Sequence, residues 1–442
     1  MTPRRKYLIF ILIIFLFWLP VYLAYYPGVF SYDILVQTQM LMGVDTFTSQ
    51  QPIIHTLFFG ACIKMGNAIG IHGIVIYSIL QMLALAAACA YVLTYMCEKK
   101  TGKVYRYLVL LFYSLNPVIS IYSFSTCKNI LFGACFLIFS LELIQFTKGV
   151  GKPGRLFAFS LLGCLFLNNF IYVIVVFSVI ALIFMRKSSK KLLMGLIPAI
   201  ASFVIISALI FPAMGYGKGD TKEMLSVPLQ QLVYAKESGN MTPEQESELL
   251  SYFEGSSYGY FQFGNADMIK TRFSTAVYNE KKSEFWALYR SMFTKCPKEY
   301  IYAFLRLNFP LWSPIGFELP AYTMTKYIET SDFEVPVAGF EGFERKSVFP
   351  GLYELFERFT SYSMLKGRPV REFVFGLSIP FWVVVICGLK VLFSRKFKKL
   401  LPLLPALLLT GTYLLGPLSN MRYVFPNLLL IPLLIFYSFW EN

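Results

Sequence analysis

The chain has 442 residues, of which 56% are hydrophobic, 18% aromatic and only 15% charged, and its formal net charge is +15. Soluble proteins carry about a quarter charged residues, so this composition excludes an ordinary soluble enzyme and indicates a polytopic membrane protein. The charge does not indicate a nucleic-acid partner, because 18 of the 40 Lys and Arg residues lie in five short segments beside apolar runs, with Glu98 as their one acid. These segments are 4–6, 98–106, 148–155, 186–191 and 395–399.

The distribution of basic residues predicts the topology. The long polar stretch 213–372 holds 18 Lys and Arg against 20 acids, in contrast to the five basic segments. Short basic loops remain in the cytoplasm. We therefore expect the five segments and both termini to be cytoplasmic and 213–372 to form a mostly helical extracytoplasmic domain. The expected location is the cytoplasmic (plasma) membrane of a bacterium.

Ten transmembrane helices account for the apolar runs of the all-α chain. An N-terminal membrane module, 1–212, contains seven of them and an outer loop at 26–70, and a C-terminal module, 373–442, contains three. The predicted helices are 7–25, 71–96, 104–122, 129–146, 156–167, 169–185, 192–212, 373–393, 400–418 and 423–440.

Two apolar segments are assigned so that the number of membrane crossings keeps every basic loop on the cytoplasmic side. A crossing at 52–69 would place every later basic loop outside, so this segment is expected to lie at the outer surface or to enter the bilayer part way. The run 156–185 connects two basic loops that must share one side. A short hairpin that turns at Asn168 and Asn169 satisfies this requirement, since backbone at membrane depth is tolerated where protein surrounds it.

The first outer loop contains YYPGVFSYDILVQ, in which Pro27 and Gly28 break the first helix and Asp33 begins a short amphipathic helix at the membrane surface. A carboxylate at this position has two interpretations. It caps the N-terminus of the helix, or it acts as a general base beside a cleft that opens to lipid. The two roles are compatible.

Lys128 and Arg422 are placed on the same outer face, against the positive-inside tendency. Each alone would be a helix-end cation or a snorkelling anchor. Together they indicate a site that holds a phosphate while Asp33 activates an acceptor hydroxyl. Asp33 with Asp45 or Asp267 also offers oxygen ligands for a divalent cation, although no spacing requires one; metal dependence stays open, and no other cofactor is predicted.

The extracytoplasmic stretch is rich in aromatic residues, and TPEQESELLSYF reads as an amphipathic helix with Thr242 as its N-cap. Stacking on sugar rings is one use for the aromatic residues, and packing of a small helical core is the commoner one. Only Cys296 lies in this stretch, which excludes an intrachain disulfide there.

The order of these features resembles the GT-C fold, a class of integral-membrane glycosyltransferases that take a sugar from a polyprenyl-phosphate carrier at the outer leaflet. More narrowly, the chain resembles, from Tyr26 to about Leu434, a family of uncharacterised bacterial GT-C-like proteins. The stretches that carry the resemblance are YPGVFSYDILVQ, SQQPIIHTLFFG, FSTCKNILF, LFLNNFIY, VPLQQLVYA, NADMIK and MRYVFPNLLLIPLL.

The resemblance implies roles for particular residues. Asp33 matches the first-loop catalytic aspartate, and Lys128 and Arg422 match positions that contact the carrier phosphate. His55, Asn129 and Gln51 are implied near the donor. Supporting residues in the same motifs are Tyr32, Gln37, Asn168, Asn169, Tyr423, Asp267 and Lys270.

The chain departs from the pattern expected of that family at four places. We expect His-Pro at Gln51-Pro52, Lys-Asp at Lys128-Asn129, Arg-Asn-Asn at Leu167-Asn168-Asn169, and an arginine near Tyr234. If these expectations hold, a second carboxylate that positions an acceptor or a metal is missing from this chain.

Three functions follow from these observations. The first is sugar transfer from a polyprenyl-phosphate sugar to an extracytoplasmic glycan or lipid acceptor, with membrane lipid as the surroundings and no nucleic acid. The second is an inactive GT-C-fold scaffold or lipid-binding protein, which the departures favour. The third is a transporter, which the missing internal repeat disfavours. The one deeply placed acid, Glu142, is expected to pair with Lys148.

Overall fold

The computed structural model describes residues 2–31, 33–185, 189–313, 344–361 and 374–441. Within these ranges the chain is helical, and extended pairing is limited to four isolated β-bridges. The prediction of an all-helical membrane protein is confirmed. Five of the described helices are long and apolar enough to cross a bilayer, and four shorter ones are apolar over 10 to 17 residues.

The chain divides into two compact units. The first contains Met1–Lys218, Thr325–Thr410 and Met421–Asn442, and the second contains Gly219–Met324 and Gly411–Asn420.

Among the described residues, the first unit begins with eleven α-helices and ends with four more, the third of which continues into the second unit. The first eleven are α1 (Pro3–Ala24), α2 (Asp33–Leu41), α3 (Ile53–Ile69), α4 (Gly73–Glu98), α5 (Lys103–Leu115), α6 (Pro117–Tyr122), α7 (Lys128–Thr147), α8 (Pro153–Phe166), α9 (Phe170–Met185), α10 (Ser189–Ile205) and α11 (Phe211–Ala213). The second unit adds α12 (Ser226–Glu237), α13 (Pro243–Leu250), α14 (Asp267–Lys270), α15 (Thr275–Glu280), α16 (Lys282–Lys295), α17 (Pro297–Leu307) and α18 (Phe309–Trp312). The last four are α19 (Pro350–Thr360), α20 (Ile379–Phe393), α21 (Leu404–Tyr413) and α22 (Met421–Phe439).

The five helices of spanning length are α1, α4, α7, the continuous run Lys190–Ala213 and α22. The predicted span 104–122 is divided into α5 and α6, because Asn116 accepts hydrogen bonds from the amides of Val118 and Ile119 and Pro117 starts a new helix. The apolar run 156–185 likewise consists of α8 and α9, which leave Leu167, Asn168 and Asn169 between them.

Helices α4, α7 and α22 form the centre of the first unit. In the apolar windows of α7 and α22, 78% of the residues are buried, compared with 28% in α1. Helix α7 packs against both α4 and α22. At Gly133 a Cβ atom would meet Leu429 and Phe425 at 3.1 and 3.3 Å, so glycine permits the close approach of α7 and α22 near their first turns.

The second unit is a small helical domain with its own core. Most of its buried apolar residues come from α12, α13, α16 and α17 and from the segments between them. Helix α13 begins with a capping box, in which the side chains of Thr242 and Gln245 each accept from the other's backbone amide. Several of its aromatic residues, such as Tyr252, Phe273 and Phe285, are packed into this core.

Candidate functional site

Three charged residues far apart in the sequence meet at one end of the first unit. Asp33 is the first residue of α2, Lys128 the first of α7, and Arg422 the second of α22. Asp33 Oδ2 lies 3.1 Å from Lys128 Nζ, and Asp33 Oδ1 lies 3.3 Å from an Arg422 guanidinium nitrogen. We call these three residues the Asp33 cluster, and the end of the helices on which they lie the Asp33 end.

Backbone pairing brings Asp33 to Lys128. Val29 and Ser125 form a parallel β-bridge, and the amide of Thr126 donates to the Val29 carbonyl at 2.9 Å. Ser31 adds two bonds to Thr126: its amide donates to Thr126 Oγ1 and its hydroxyl to the Thr126 carbonyl. The paired residues lie two positions before Asp33 and Lys128, so this pairing fixes the starts of α2 and α7 side by side.

The break after α1 requires glycine. Gly28 has a φ of +155°, and a Cβ atom there would lie 2.9 Å from the side chains of Ile74 and Ser78 on α4. No larger residue would fit without a shift of the chain. The predicted break at Pro27 and Gly28 therefore also sets how closely the chain that leads to Asp33 approaches α4.

The Asp33 cluster is nearly buried and carries one excess positive charge. The side chains of Asp33, Lys128 and Arg422 are 16%, 13% and 9% exposed. Burial alone would raise the pKa of the Asp33 carboxyl, but the charges of Arg422 and Lys128 outweigh it and hold that pKa well below its ordinary value. Asp33 is therefore ionised throughout the physiological range, and here it is a counter-ion to two cations.

Two glutamines connect the cluster to His55. Lys128 Nζ donates to Gln51 Oε1 at 2.8 Å, and Gln37 Nε2 donates to the same oxygen at 3.4 Å. Gln37 Oε1 then lies 2.7 Å from Nδ1 of His55, whose side chain has no exposed surface. Four predicted site residues, from α2, α3, α7 and the turn before α3, thus form one buried series of contacts.

The series continues into α4. His55 Nε2 lies 2.8 Å from the Tyr77 hydroxyl, which contacts Gln81 Oε1 at 2.7 Å. Gln81 Nε2 donates to backbone carbonyls of the segment between α6 and α7, the closest being that of Ser125 at 2.7 Å. We call the series from Gln51 to Gln81 the amide–imidazole chain.

Tyr77 and Gln81 were not predicted as site residues. The signal in the sequence is a tyrosine and a glutamine four residues apart in the first half of a predominantly apolar helix. Residues at this spacing lie on the same helix face, and polar side chains inside an apolar run require buried partners.

The remaining predicted residues near this end have varied surroundings. Asn129 is fully buried; its Oδ1 accepts from the Cys127 thiol, and its Nδ2 has no hydrogen-bond partner among the described residues. Asn168 Nδ2 donates to the Ser49 carbonyl at 2.9 Å, whereas the neighbouring Asn169 is exposed. Tyr423 lies under the Arg422 guanidinium, 5.1 Å from its ring centre. Tyr32 lies outside the described residues.

Asp267 and Lys270 belong to the second unit, where they form a separate ion cluster. Lys270 Nζ lies 2.8 Å from Asp267 and 2.7 Å from Glu223. Burial alone would lower the pKa of Lys270, but the two carboxylates reverse this effect and raise it. This geometry indicates a structural role, in which the ion pair of Lys270 with Glu223 fixes α14 to the turn before α12.

Two of the four departures from the expected pattern have clear environments. Gln51 occupies the place of an expected histidine and accepts from Lys128, so an amide replaces a titratable ring there. Tyr234 occupies the place of an expected arginine and packs among Phe261, Phe263 and Tyr302 of the second unit. Leu167 ends α8. In the described part of the chain, no three His, Cys, Asp or Glu side chains are grouped to hold a metal ion.

Helix α7 has another ionic cluster at its other end. The predicted pair of Glu142 with Lys148 is wrong: Glu142 Oε1 accepts from Arg155 of α8 at 2.7 Å and from the Tyr91 hydroxyl at 3.0 Å. Lys148 instead pairs with Glu441 after α22. We call Glu142, Arg155 and Tyr91 the Glu142 cluster.

The chain belongs to a family of unknown function, DUF6020, whose model matches residues 42–442. The match includes Lys128, Arg422 and the amide–imidazole chain except Gln37, and it begins after Asp33 and Gln37. No curated protein and no solved structure matches the chain.

Proposed function

We propose that the chain is a membrane glycosyltransferase that moves a sugar from a polyprenyl-phosphate carrier to an acceptor outside the cytoplasmic membrane. The observation that carries the proposal is the meeting of Asp33, Lys128 and Arg422, with distances of 3.1 and 3.3 Å, at the N-terminal ends of α2, α7 and α22. Two cations on one carboxylate, at the ends of two helices that are long and apolar enough to cross a bilayer, suit a substrate that has a phosphate on a hydrocarbon chain.

The proposed topology follows from the directions of the helices. Helix α1 ends, and α4, α7 and α22 begin, at the Asp33 end, whereas the basic segments 4–6 and 98–106 lie at or beyond the opposite ends of α1 and α4. With basic segments on the cytoplasmic side, the Asp33 end is extracytoplasmic and both termini are cytoplasmic. Ten crossings and a GT-C arrangement belong to the same proposal.

Lys128 and Arg422 would bind the phosphate and stabilise it as a leaving group. While Asp33 is paired with both cations, its low pKa makes it a weak base. A phosphate that takes the two cations would neutralise the charges that depress this pKa. Asp33 would then become basic enough to accept the proton of an acceptor hydroxyl as that oxygen attacks the sugar carbon and the carrier phosphate departs.

A phosphate-lipid binding protein without transfer is the second candidate. The same low pKa of Asp33 favours it, because a carboxylate that remains bound to two cations orders a phosphate site without acting as a base. This candidate uses the same three residues and differs only in the fate of the substrate.

Sugar release separates the two functions. The purified protein in lipid nanodiscs is incubated with a set of radiolabelled polyprenyl-phosphate sugars, and wild type is compared with Asp33→Asn and with Asp45→Asn, which makes the same change elsewhere in the outer loop. Turnover of one donor by wild type and Asp45→Asn, reduced at least about 100-fold in Asp33→Asn, is expected for a general base. Carrier binding without turnover of any donor would establish the binding protein instead.

A further inference from the structure

At the centre of the amide–imidazole chain, three contacts of hydrogen-bond length share too few hydrogens for each to be a hydrogen bond. Gln37 Oε1 to His55 Nδ1, His55 Nε2 to Tyr77, and Tyr77 to Gln81 Oε1 are three contacts of 2.7, 2.8 and 2.7 Å. Each requires one hydrogen. A neutral imidazole supplies one and the phenol supplies one, and the two terminal amide oxygens supply none.

The surroundings fix the orientation of both terminal amides. On one side, Gln81 Nε2 donates to three backbone carbonyls, so its oxygen must face Tyr77. On the other side, the Lys128 ammonium can only donate, so Gln51 presents its oxygen to Lys128. Gln37 then directs its amide nitrogen to Gln51 and its oxygen to His55.

A second proton on His55 would complete the chain only at a high cost. The ring has no exposed surface, and only Gln51 and Gln37 separate it from the Lys128 ammonium in the series of contacts. A full positive charge in that position would lack water and would face another cation. While Lys128 is bonded to Gln51, the three contacts therefore share only two hydrogens. The Tyr77 hydroxyl can rotate to donate to His55 Nε2 or to Gln81 Oε1, but not to both, so one of its two contacts lacks a hydrogen.

We propose that His55, Gln37 and Gln51 are positioning residues that release Lys128 to a phosphate, and that this release changes the tautomer of His55. Once Lys128 leaves Gln51, both glutamine amides can reverse, so that Gln51 Nε2 donates to Gln37 and Gln37 Nε2 donates to His55 Nδ1. The proton of His55 then lies on Nε2 and is donated to Tyr77, whose hydroxyl donates to Gln81. Every contact now has a hydrogen, with a neutral imidazole throughout.

This inference deepens the proposed function and rests on it for the identity of the anion, because Lys128 is the residue proposed to hold the carrier phosphate. The inference adds that the amide–imidazole chain, which is buried and does not touch the phosphate, favours the phosphate-bound state of the site. Loss of one buried hydrogen-bond arrangement corresponds to a change in affinity of about three- to tenfold.

Nitrogen NMR of the histidine rings reports the tautomer directly. The chain contains only two histidines, His55 and His72. His72 caps α4 by accepting from the Ile74 amide, and His72→Asn keeps a capping side chain while leaving His55 as the only signal. We expect the proton on Nδ1 in the ligand-free protein; a ligand-free protein with the proton on Nε2 would overturn the inference.

Removal of the Lys128 amine tests the coupling without any ligand. In Lys128→Met the constraint on Gln51 is gone, so the proton should move to His55 Nε2. Arg422→Met is the matched control, because it removes the other cation of the Asp33 cluster and leaves the bond between Lys128 and Gln51. An unchanged Nδ1–H tautomer in Lys128→Met, or the same change in both variants, would contradict the proposal.

Phosphate probes on the protein with Lys128 intact distinguish the sources of the anion. A prenyl phosphate in the nanodisc and inorganic phosphate are each titrated while the tautomer is followed, and a shift to Nε2–H with either supports the release of Lys128. A shift with inorganic phosphate alone supports the release while arguing against a lipid carrier. Sugar transfer with no shift leaves the proposed function intact and overturns the inference, as does the absence of a shift with both probes.

Tyr77→Phe provides an affinity test. The variant removes the hydroxyl that lacks a hydrogen for one of its two contacts in the phosphate-free protein. Phosphate binding then no longer completes the hydrogen bonds of the chain, so the affinity for phosphate should fall about three- to tenfold. Tyr91→Phe, the same change in the Glu142 cluster on the same helix, should leave the affinity unchanged. Equal effects of the two substitutions would show a general loss of packing and would remove the support for the chain.

Discussion

Helix α7 carries an ionic cluster at each end, and the two clusters are built differently. Lys128 begins the helix and Glu142 lies 14 residues later, which is about 21 Å along the axis. In the Glu142 cluster one acid meets one cation, and both carboxylate oxygens have partners: Arg155 and Tyr91 at Oε1 and the Lys152 amide at Oε2. In the Asp33 cluster one acid meets two cations.

The difference indicates which cluster holds helices together and which accommodates a ligand. A buried carboxylate whose bonds are all made inside the protein has nothing to offer a substrate, and it fixes α4, α7 and α8 to one another. A carboxylate that holds two cations leaves one positive charge uncompensated within the cluster. An anion with more than one oxygen, such as a phosphate, satisfies both cations at once.

The largest expected effect is a difference in kcat/KM between variants of Arg422, in the Asp33 cluster, and Arg155, in the Glu142 cluster. We expect Arg422→Met to lower kcat/KM for sugar transfer about 100-fold, as removal of one preorganised donor to a developing anion does. Arg155→Met makes the same change at the other end and should leave kcat/KM per folded protein unchanged. Both variants are assayed at equal amounts of folded protein, and equal losses of activity would remove the functional distinction between the clusters.

The next effect concerns stability and its response to phosphate. Glu142→Gln leaves Arg155 without its carboxylate, and we expect the free energy of unfolding to fall by about 1–3 kcal/mol, since Arg155 remains a third exposed and water replaces part of the interaction. Asp33→Asn also removes the partner of buried cations. In that variant we expect added phosphate to restore the lost stability, because the anion takes the place of the carboxylate.

Thermal unfolding in detergent, with phosphate against chloride at equal ionic strength, measures both variants. The expected result is a midpoint that recovers in phosphate for Asp33→Asn alone. Recovery of both variants would show a nonspecific salt effect, and recovery of neither would argue against an anion site at the Asp33 end.

The Asp33 cluster could be predicted because its members stand next to the ends of apolar runs. Charge asymmetry predicts the side on which each run ends, and three charged side chains near one face must either meet or remain in water. The backbone pairing of Val29 with Ser125 that completes their approach has no such signal, since neither residue differs from an ordinary loop residue.

The partners of buried polar groups were harder to predict. Glu142 and Lys148 are six residues apart, and this separation does not place two side chains on the same face of a helix, whereas separations of three, four or seven residues do. The side chain of Lys148 therefore points away from Glu142, and Arg155 reaches it from α8, which packs against α7. Tyr77 and Gln81 were missed for the related reason that their partners come from other helices.

A smaller effect is expected from pH. The pKa of Asp33 is lowered in the folded protein, so its ionised form contributes stability that is present above the unfolded-state value of about 4 and is lost as the pH falls below it. We expect the difference in unfolding midpoint between wild type and Asp33→Asn to shrink from pH 5 to pH 3. A difference that stays constant over this range would show that Asp33 is not held in its ionised form by Lys128 and Arg422.

The smallest effect distinguishes ring from hydroxyl at Tyr423. The Arg422 guanidinium lies 5.1 Å from the centre of this ring, and its nitrogen donates to the hydroxyl over a long 3.3 Å. Tyr423→Phe keeps the ring and loses only the weak bond, so we expect phosphate affinity to fall about twofold. Tyr423→Leu also loses the attraction between cation and ring, which corresponds to about a fivefold decrease. An equal decrease in both variants would show that the hydroxyl, and not the ring, orients Arg422 for the anion, and the contact at 3.3 Å would then be the one that matters.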